Sequence, residues 1–229
     1  MNVTAIIPAA GKGLRLKNEV QKPFLSLSGR PIIAHTLDVF EACNVIDRII
    51  VVFSEEMVGR CSTDIIDAFG YTKVKKVAKG GVKRQDSVYN GLRAIEDGCD
   101  IIVIHDGVRP FVTTELIEHS IELCQECQAV ITAVPPKDTI KRGEEGFVVS
   151  TLDRTKLWAA QTPQAFAYDL ISRAYERAYT DHFYGTDDAS LVERLGVRVK
   201  ILTGSYDNIK ITTQEDLYLA ENILKQRSG

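Results

Sequence analysis

Two short stretches of this chain combine glycine with fixed positive charge. Pro8-Ala9-Ala10-Gly11-Lys12-Gly13-Leu14-Arg15 is followed by Lys22, and Gly80-Gly81-Val82-Lys83-Arg84 leads to Ser87. Without a Cβ, Gly11 and Gly13 let the backbone approach a ligand closely. Successive N–H groups in such a loop form a concavity suited to anions. Arg15, Lys22, Arg84 and, near the C-terminus, Lys210 are candidate cations beside it. A polyphosphate is the natural guest, although the same residues would also serve a tight strand-to-loop turn that binds nothing. The spacing is neither that of a P-loop nor that of a dinucleotide fingerprint, so a phosphate loop here is of another kind. A third stretch, His105-Asp106-Gly107-Val108-Arg109, follows the apolar run Ile101 to Ile104. A carboxylate at that place needs a partner. Magnesium held by Asp106 and phosphate oxygens is one solution; pairing with Arg109 or capping the next turn are others. His105 reads as a packed, hydrogen-bonded residue. The four histidines form no Ser-His-Asp set and no metal cluster. Cations and glycines without an evident nucleophile suit phosphoryl or nucleotidyl transfer, where positioning and charge neutralisation do most of the catalysis.

The elements that must hold these residues alternate. Val3 to Ile7, Arg48 to Phe53, Lys73 to Ala78, Ile101 to Ile104 and Ala129 to Val134 read as strands; the first two read as buried, and Ile101 to Ile104 is fully apolar. Between them lie helical patterns from Pro31 to about Phe40, Glu55 to Phe69, about Ser87 to Glu96, and one capped by Thr113 or Thr114. This alternation predicts an α/β fold with a mostly parallel sheet and helices on both faces. Ligands of such sheets sit beyond the carboxyl ends of the strands, where all three unusual stretches fall. The alternation then breaks: 135–156 is polar, with a turn at Gly143 and an apolar patch Phe147-Val148-Val149. It reads as a projecting β-hairpin arm with little core of its own, for which a partner subunit is the expected cover; a mobile surface loop is the alternative. Leu157 to Phe166 carries no clear pattern. Beyond it come helices from about Tyr168 to Tyr179 and Asp187 to Leu195, a strand Arg198 to Leu202, and a closing helix from a capping box at Thr213 and Asp216 to about Lys225.

Composition narrows the class. The 229 residues are 45% apolar and 26% charged, with 28 basic and 31 acidic side chains for a net charge of −3. Nothing in that balance suggests a partner that is nucleic acid or an anionic membrane. No segment approaches the roughly 18 apolar residues of a membrane span, and the first residues enter a strand without a signal-peptide pattern. The expectation is a cytoplasmic protein organised as one domain over 1–229. Five cysteines at irregular spacing do not make a disulfide framework. Cys124 and Cys127 fall inside a helical run without a second pair, so they read as idle thiols.

Six blocks occur in order: Pro8-Ala9-Ala10-Gly11-x-Gly13-x-Arg15 with Lys22; Gly80-Gly81 through Arg84 to Asp86-Ser87; His105-Asp106-x-x-Arg109-Pro110; Thr162-Pro163-Gln164; Thr186-Asp187-Asp188; and Asn208-Ile209-Lys210-x-Thr212. Together, from residue 3 to about 225, they resemble the 2-C-methyl-D-erythritol 4-phosphate cytidylyltransferases of the non-mevalonate isoprenoid pathway. The resemblance implies a Rossmann-like, three-layer αβα nucleotidyltransferase fold. It implies attack of an acceptor phosphate on the α-phosphorus of CTP, with Mg²⁺. By resemblance, Pro8, Ala9, Ala10, Gly11 and Gly13 cradle CTP with Gly81, Arg84 and Ser87; Arg15, Lys22 and Lys210 stabilise the transition state. Asp106 sits by the metal, and Arg109, Thr162, Thr186, Asp187 and Asp207 line the acceptor side. Thr139 and Arg154 on the arm reach a second subunit of a homodimer. The chain departs from the family pattern at Gln21-Lys22-Pro23, where Pro-Lys-Gln is usual, and at Val82, where an acidic residue is common. Ribitol 5-phosphate cytidylyltransferases share most of these blocks, and a nucleotide-binding regulatory module is the alternative of a different class.

Overall fold

The computed structural model describes residues 1–11, 22–96 and 98–227. Gly13 and Arg15 lie outside the described residues, as does the side chain of Lys22.

In chain order the protein has β1 (Val3–Pro8), a helical turn Lys22–Phe24, β2 (Ser26–Leu27), β3 (Arg30–Pro31), α1 (Ile32–Ala42) and β4 (Arg48–Phe53). A broken helical stretch follows, with α2 (Val58–Cys61) at its centre, then β5 (Val74–Lys79), α3 (Arg84–Arg93), β6 (Ile101–Ile104), α4 (Thr114–Cys127) and β7 (Ala129–Val134). The second half holds β8 (Lys141–Glu144), β9 (Phe147–Thr151), β10 (Ala159–Ala167), α5 (Tyr168–Thr180), α6 (Ala189–Glu193), β11 (Lys200–Thr203) and α7 (Gln214–Arg227). The main sheet runs β11-β7-β10-β6-β1-β4-β5. Its pairings are parallel except those of β10, which is antiparallel to both neighbours.

The expected α/β sandwich of layers is therefore present. Alternation along β1 shows why. Ala5 and Ile7 join the core on one face with α1 and α4, while Ile6 joins the core on the other with α3 and α5. A strand buried on both faces reads as a continuous apolar run, which is what made these strands legible. Smaller differences concern ends: α3 begins at Arg84 rather than Ser87, and the expected helix Asp187 to Leu195 shrinks to α6. The closing cap is as read, with Asp216 accepting from the Thr213 amide and Thr213 Oγ1 accepting in return. Cys124 and Cys127 are free thiols on α4.

The principal correction is β10. Leu157 to Phe166 carried no recognisable pattern, yet its chain is central in the sheet. Only Ala165 and Phe166 reach the apolar core; Gln161, Thr162 and Gln164 are buried with polar partners instead. Pro163 argues against a central strand, but it falls where the register with β7 shifts between Ala160 and Gln164. Its carbonyl accepts from Thr132 Oγ1 at 3.0 Å.

Among the described residues β8 and β9 pair only with each other and form the expected hairpin, but its turn is Glu145-Gly146, both at positive φ, and not Gly143, which lies within β8 opposite Val148. Phe147 is 79% and Val148 66% exposed. Among the described residues, no helix is long and apolar enough to cross a membrane.

Candidate active site

The carboxyl ends of β1, β4, β5 and β6 open into a cavity of about 790 Å³. Pro8, Ala9, Ala10 and Gly11 line it from β1, Gly80 to Arg84 from β5, Asp106 from β6, and Lys210 from the segment before α7. Short backbone bonds hold each glycine loop on the end of β4. Ala9 N donates to Val52 O at 2.7 Å, and Gly80 N donates to Phe53 O at 2.6 Å. A Cβ on Gly80 would stand 2.3 Å from the Ala10 Cβ, and one on Gly81 2.2 Å from that of Asp86. Both positions need glycine because another chain segment occupies the space. Ser87 lines the cavity too. Its Oγ accepts from Gly81 N at 3.1 Å and donates to Lys83 O at 3.2 Å, so this hydroxyl also fixes the loop. Val82 stands at the rim, 99% exposed.

A second cavity, of about 220 Å³, adjoins the first. Arg109, Gln161, Thr162, Gln164, Thr186 and Asp187 line it. Arg84, Asp106 and Lys210 line both cavities and so form the wall between them. The Asp106 carboxylate is surrounded by cations: Arg84 Nε lies 2.9 Å from Oδ1, Lys210 Nζ 2.7 Å and Arg109 Nε 3.7 Å from Oδ2. Burial alone would raise its pKa; Arg84, Lys210 and Arg109 overcome that and hold it well below the usual carboxylate range. Arg84 is anchored behind. Its Nη2 is 2.8 Å from Oδ2 of Asp188, which is 1% exposed. The other oxygen of Asp188 accepts a short bond from the Tyr175 hydroxyl. Burial works against the Arg84 charge, but Asp188 and Asp106 more than offset it and push its pKa well up.

His105 completes the wall from beneath. Nε2 is 3.0 Å from Arg109 O. A carbonyl only accepts, so Nε2 carries the proton and Nδ1 accepts from Thr162 Oγ1 at 3.1 Å. Thr162 Oγ1 in turn accepts from the Asp106 amide at 3.0 Å. Burial pushes the imidazole down to about 4. It is neutral at neutral pH, and it is the packed, hydrogen-bonded residue expected from the sequence. The unfolded chain binds that proton near pH 6.5 and the folded chain does not. Stability present above pH 6.5 is therefore lost as pH falls to about 4, by up to about 3 kcal/mol. Urea unfolding of the wild type and of His105→Gln over this window checks it. The variant's slope is shallower; equal slopes contradict the assignment.

The IspD family of 2-C-methyl-D-erythritol 4-phosphate cytidylyltransferases matches residues 3–226. The chain belongs to this family. The 2-C-methyl-D-erythritol 4-phosphate cytidylyltransferase of Geotalea uraniireducens strain Rf4 is 50% identical over 227 residues, which cover 98% of this chain and 97% of that one. The crystal structure of 4-diphosphocytidyl-2C-methyl-D-erythritol synthase from Anaerococcus prevotii superposes with a TM-score of 0.86 at 36% identity, covering 98% of this chain and 96% of that one. That of the Francisella tularensis 2-C-methyl-D-erythritol 4-phosphate cytidylyltransferase gives 0.82 at 31% identity, over 97% and 100%.

The cytidylyltransferase fold brings most residues singled out in the sequence to the two cavities. It does not bring all of them. Asp207 is exposed and lines neither cavity, as are Thr139 and Arg154 on the arm segment. Arg154 Nη1 donates to Lys137 O at 2.8 Å. Asp187 lines the smaller cavity, but both its oxygens are already bonded, to Gln164 Nε2 and to Ser190 N, each at 3.0 Å. The sequence reading missed Asp188 and Tyr175 as the anchor of Arg84. Asp188 stood inside a named block, but nothing local distinguished it from Asp187. Tyr175 looked like any apolar position of an amphipathic helix.

Proposed function

We propose that this chain transfers the cytidylyl group of CTP to 2-C-methyl-D-erythritol 4-phosphate, giving 4-diphosphocytidyl-2-C-methyl-D-erythritol and pyrophosphate. The observation that carries this reading is the shared wall: two cavities, one glycine-lined, meet at Arg84, Asp106 and Lys210. In-line transfer needs two anionic substrates to meet at one phosphorus with cations at the junction. The acceptor phosphate oxygen forms the new bond to the α-phosphorus. The bond from that phosphorus to the bridging oxygen breaks, and pyrophosphate leaves with the electron pair. A phosphate monoester is already anionic near neutral pH, so no general base is required.

In this reading Pro8 to Gly11 with Gly13, Gly81, Arg84 and Ser87 hold CTP. Arg15, Lys22 and Lys210 neutralise charge on the pentacoordinate phosphorus and the leaving pyrophosphate. Arg109, Thr162, Thr186 and Asp187 form the acceptor side, with Asp207 nearby. Asp106 would hold Mg²⁺ with phosphate oxygens, a usual donor set for that ion; it is held ionised at the junction, and the metal would take the place of Arg84 or Lys210 on one of its oxygens. The metal would supply further charge neutralisation on the phosphates. Free cysteines support a cytoplasmic setting.

The exposed apolar patch Phe147-Val148-Val149 on the unsupported hairpin supports a homodimer in which Thr139 and Arg154 act in the partner's site. Mixing Arg154→Ala and Lys210→Ala chains tests this. Each parent is nearly inactive, and the mixture regains about a quarter of wild-type activity, as statistical exchange into one intact site per mixed dimer gives. Exchange without recovery rules the arrangement out. The reaction itself is tested by pyrophosphate release with CTP and Mg²⁺, offering methylerythritol 4-phosphate or ribitol 5-phosphate. Release with the first alone supports the reading, and release with the second alone replaces the acceptor.

A further inference from the structure

We infer that Gln85, which lines neither cavity, is a positioning residue that sets the affinity for the acceptor by fixing the loop that carries Thr186 and Asp187. The inference rests on the reading of the smaller cavity as the acceptor side.

Gln85 sits in the first turn of α3, between the cavity residues Arg84 and Ser87. It is buried, at 7% exposure, and both ends of its amide are used on one loop. Nε2 donates to Phe183 O at 3.0 Å, and Oε1 accepts from Gly185 N at 2.9 Å. The side chain thus holds the backbone on both sides of Tyr184. Its neighbours grip the same segment. Tyr184 donates to Asp86 Oδ1 at 3.3 Å, Lys83 Nζ stands 3.4 Å from the Tyr184 ring centre, and Arg84 pairs with Asp188.

Burial cannot fix this loop unaided. Phe183 is half-buried and Asp188 is buried, but Tyr184 and Thr186 between them are exposed. The chain is nevertheless confined. A Cβ on Gly185 would lie 2.2 Å from Ser190 Oγ and 2.9 Å from Leu191 Cδ2. Thr186 follows at once and lines the smaller cavity, with Asp187 next to it. A buried amide whose donor and acceptor both read backbone is costly to leave half-satisfied, so the loop has one seat on α3. Losing that seat leaves a set of loop conformations, of which only a fraction presents Thr186 correctly. Apparent acceptor affinity then falls by that fraction.

Gln85→Met keeps the volume and removes both bonds. Relative to wild type, KM for methylerythritol phosphate should rise about tenfold, as expected for losing roughly two net hydrogen bonds. KM for CTP should stay within about twofold, because the glycine loops and Ser87 are untouched. Amide hydrogen exchange of residues 183–187 in the ligand-free protein should accelerate. A purely structural role would lower the melting temperature without separating the two KM values. Unchanged exchange, equal rises in both KM values, or faster exchange with an unchanged acceptor KM each overturn the inference. Wild-type turnover is measured first. If only ribitol phosphate is used, the acceptor assignment fails, while exchange and the KM for ribitol phosphate still judge Gln85.

Discussion

Lys210→Ala should lower kcat by about 100- to 1000-fold, the usual loss when one preorganised group at a developing charge is removed. KM for CTP should change far less. The reason is the place of Lys210. Its Nζ, 2.7 Å from Asp106 Oδ2, stands on the wall common to both cavities rather than deep in either. A group at the junction interacts most strongly with the charge that builds while the phosphorus is bonded to both oxygens, and less with either substrate alone. Steady-state kinetics with pyrophosphate detection reads the split directly. A variant that raises KM for CTP while leaving kcat intact would show that Lys210 binds nucleotide uniformly and has no special part in the transition state.

Asp188→Ala should be the most destabilising single change in the site, by about 3–5 kcal/mol, because it strips one member from a buried pair. The fully buried Tyr175 hydroxyl and the partly exposed Arg84 Nη2 both lose their partner. Tyr175→Phe, which deletes only one hydrogen bond, should cost about 1–3 kcal/mol. Activity should fall with Asp188→Ala as well, since Arg84 holds Asp106 Oδ1. Stability and catalysis can be separated. The double variant Arg84→Met with Asp188→Leu replaces the pair by apolar side chains, which often restores stability. It should recover most of the denaturation midpoint and little of the turnover. Urea unfolding and kinetics on the same preparations decide this. A single variant that loses less than about 1 kcal/mol would mean that Asp188 is not the anchor.

The inner parallel strands β1, β4, β6 and β7 were legible because they are buried on both faces and read as largely apolar runs such as Ile101 to Ile104, whereas the edge strands β5 and β11 are only partly buried and carry no such run. The glycine loops were legible because no other residue allows the approach seen between Gly80 and Ala10. β10 was not, since its buried residues Gln161, Thr162 and Gln164 are polar and their partners lie elsewhere in the chain. Local pattern reports burial against a generic apolar neighbour; it carries no information about a specific distant one.

The same distinction divides the site. The sequence alone carried the α/β alternation, the sheet edge where the candidate site lies, the cations and carboxylate available there, and the family. Those follow from short-range periodicity and from residue types whose chemistry is intrinsic. Which groups meet follows from the packed fold. Arg84 is 22 residues from Asp106 and 104 from Asp188, and Gln85 is 98 from the carbonyl it holds. It separated Asp187, bonded at the cavity wall, from Asp188, buried behind Arg84, although the two are adjacent and chemically identical. A charge takes its role from the partners and the solvent around it, and both are set by how the sheet brings distant loops to one edge.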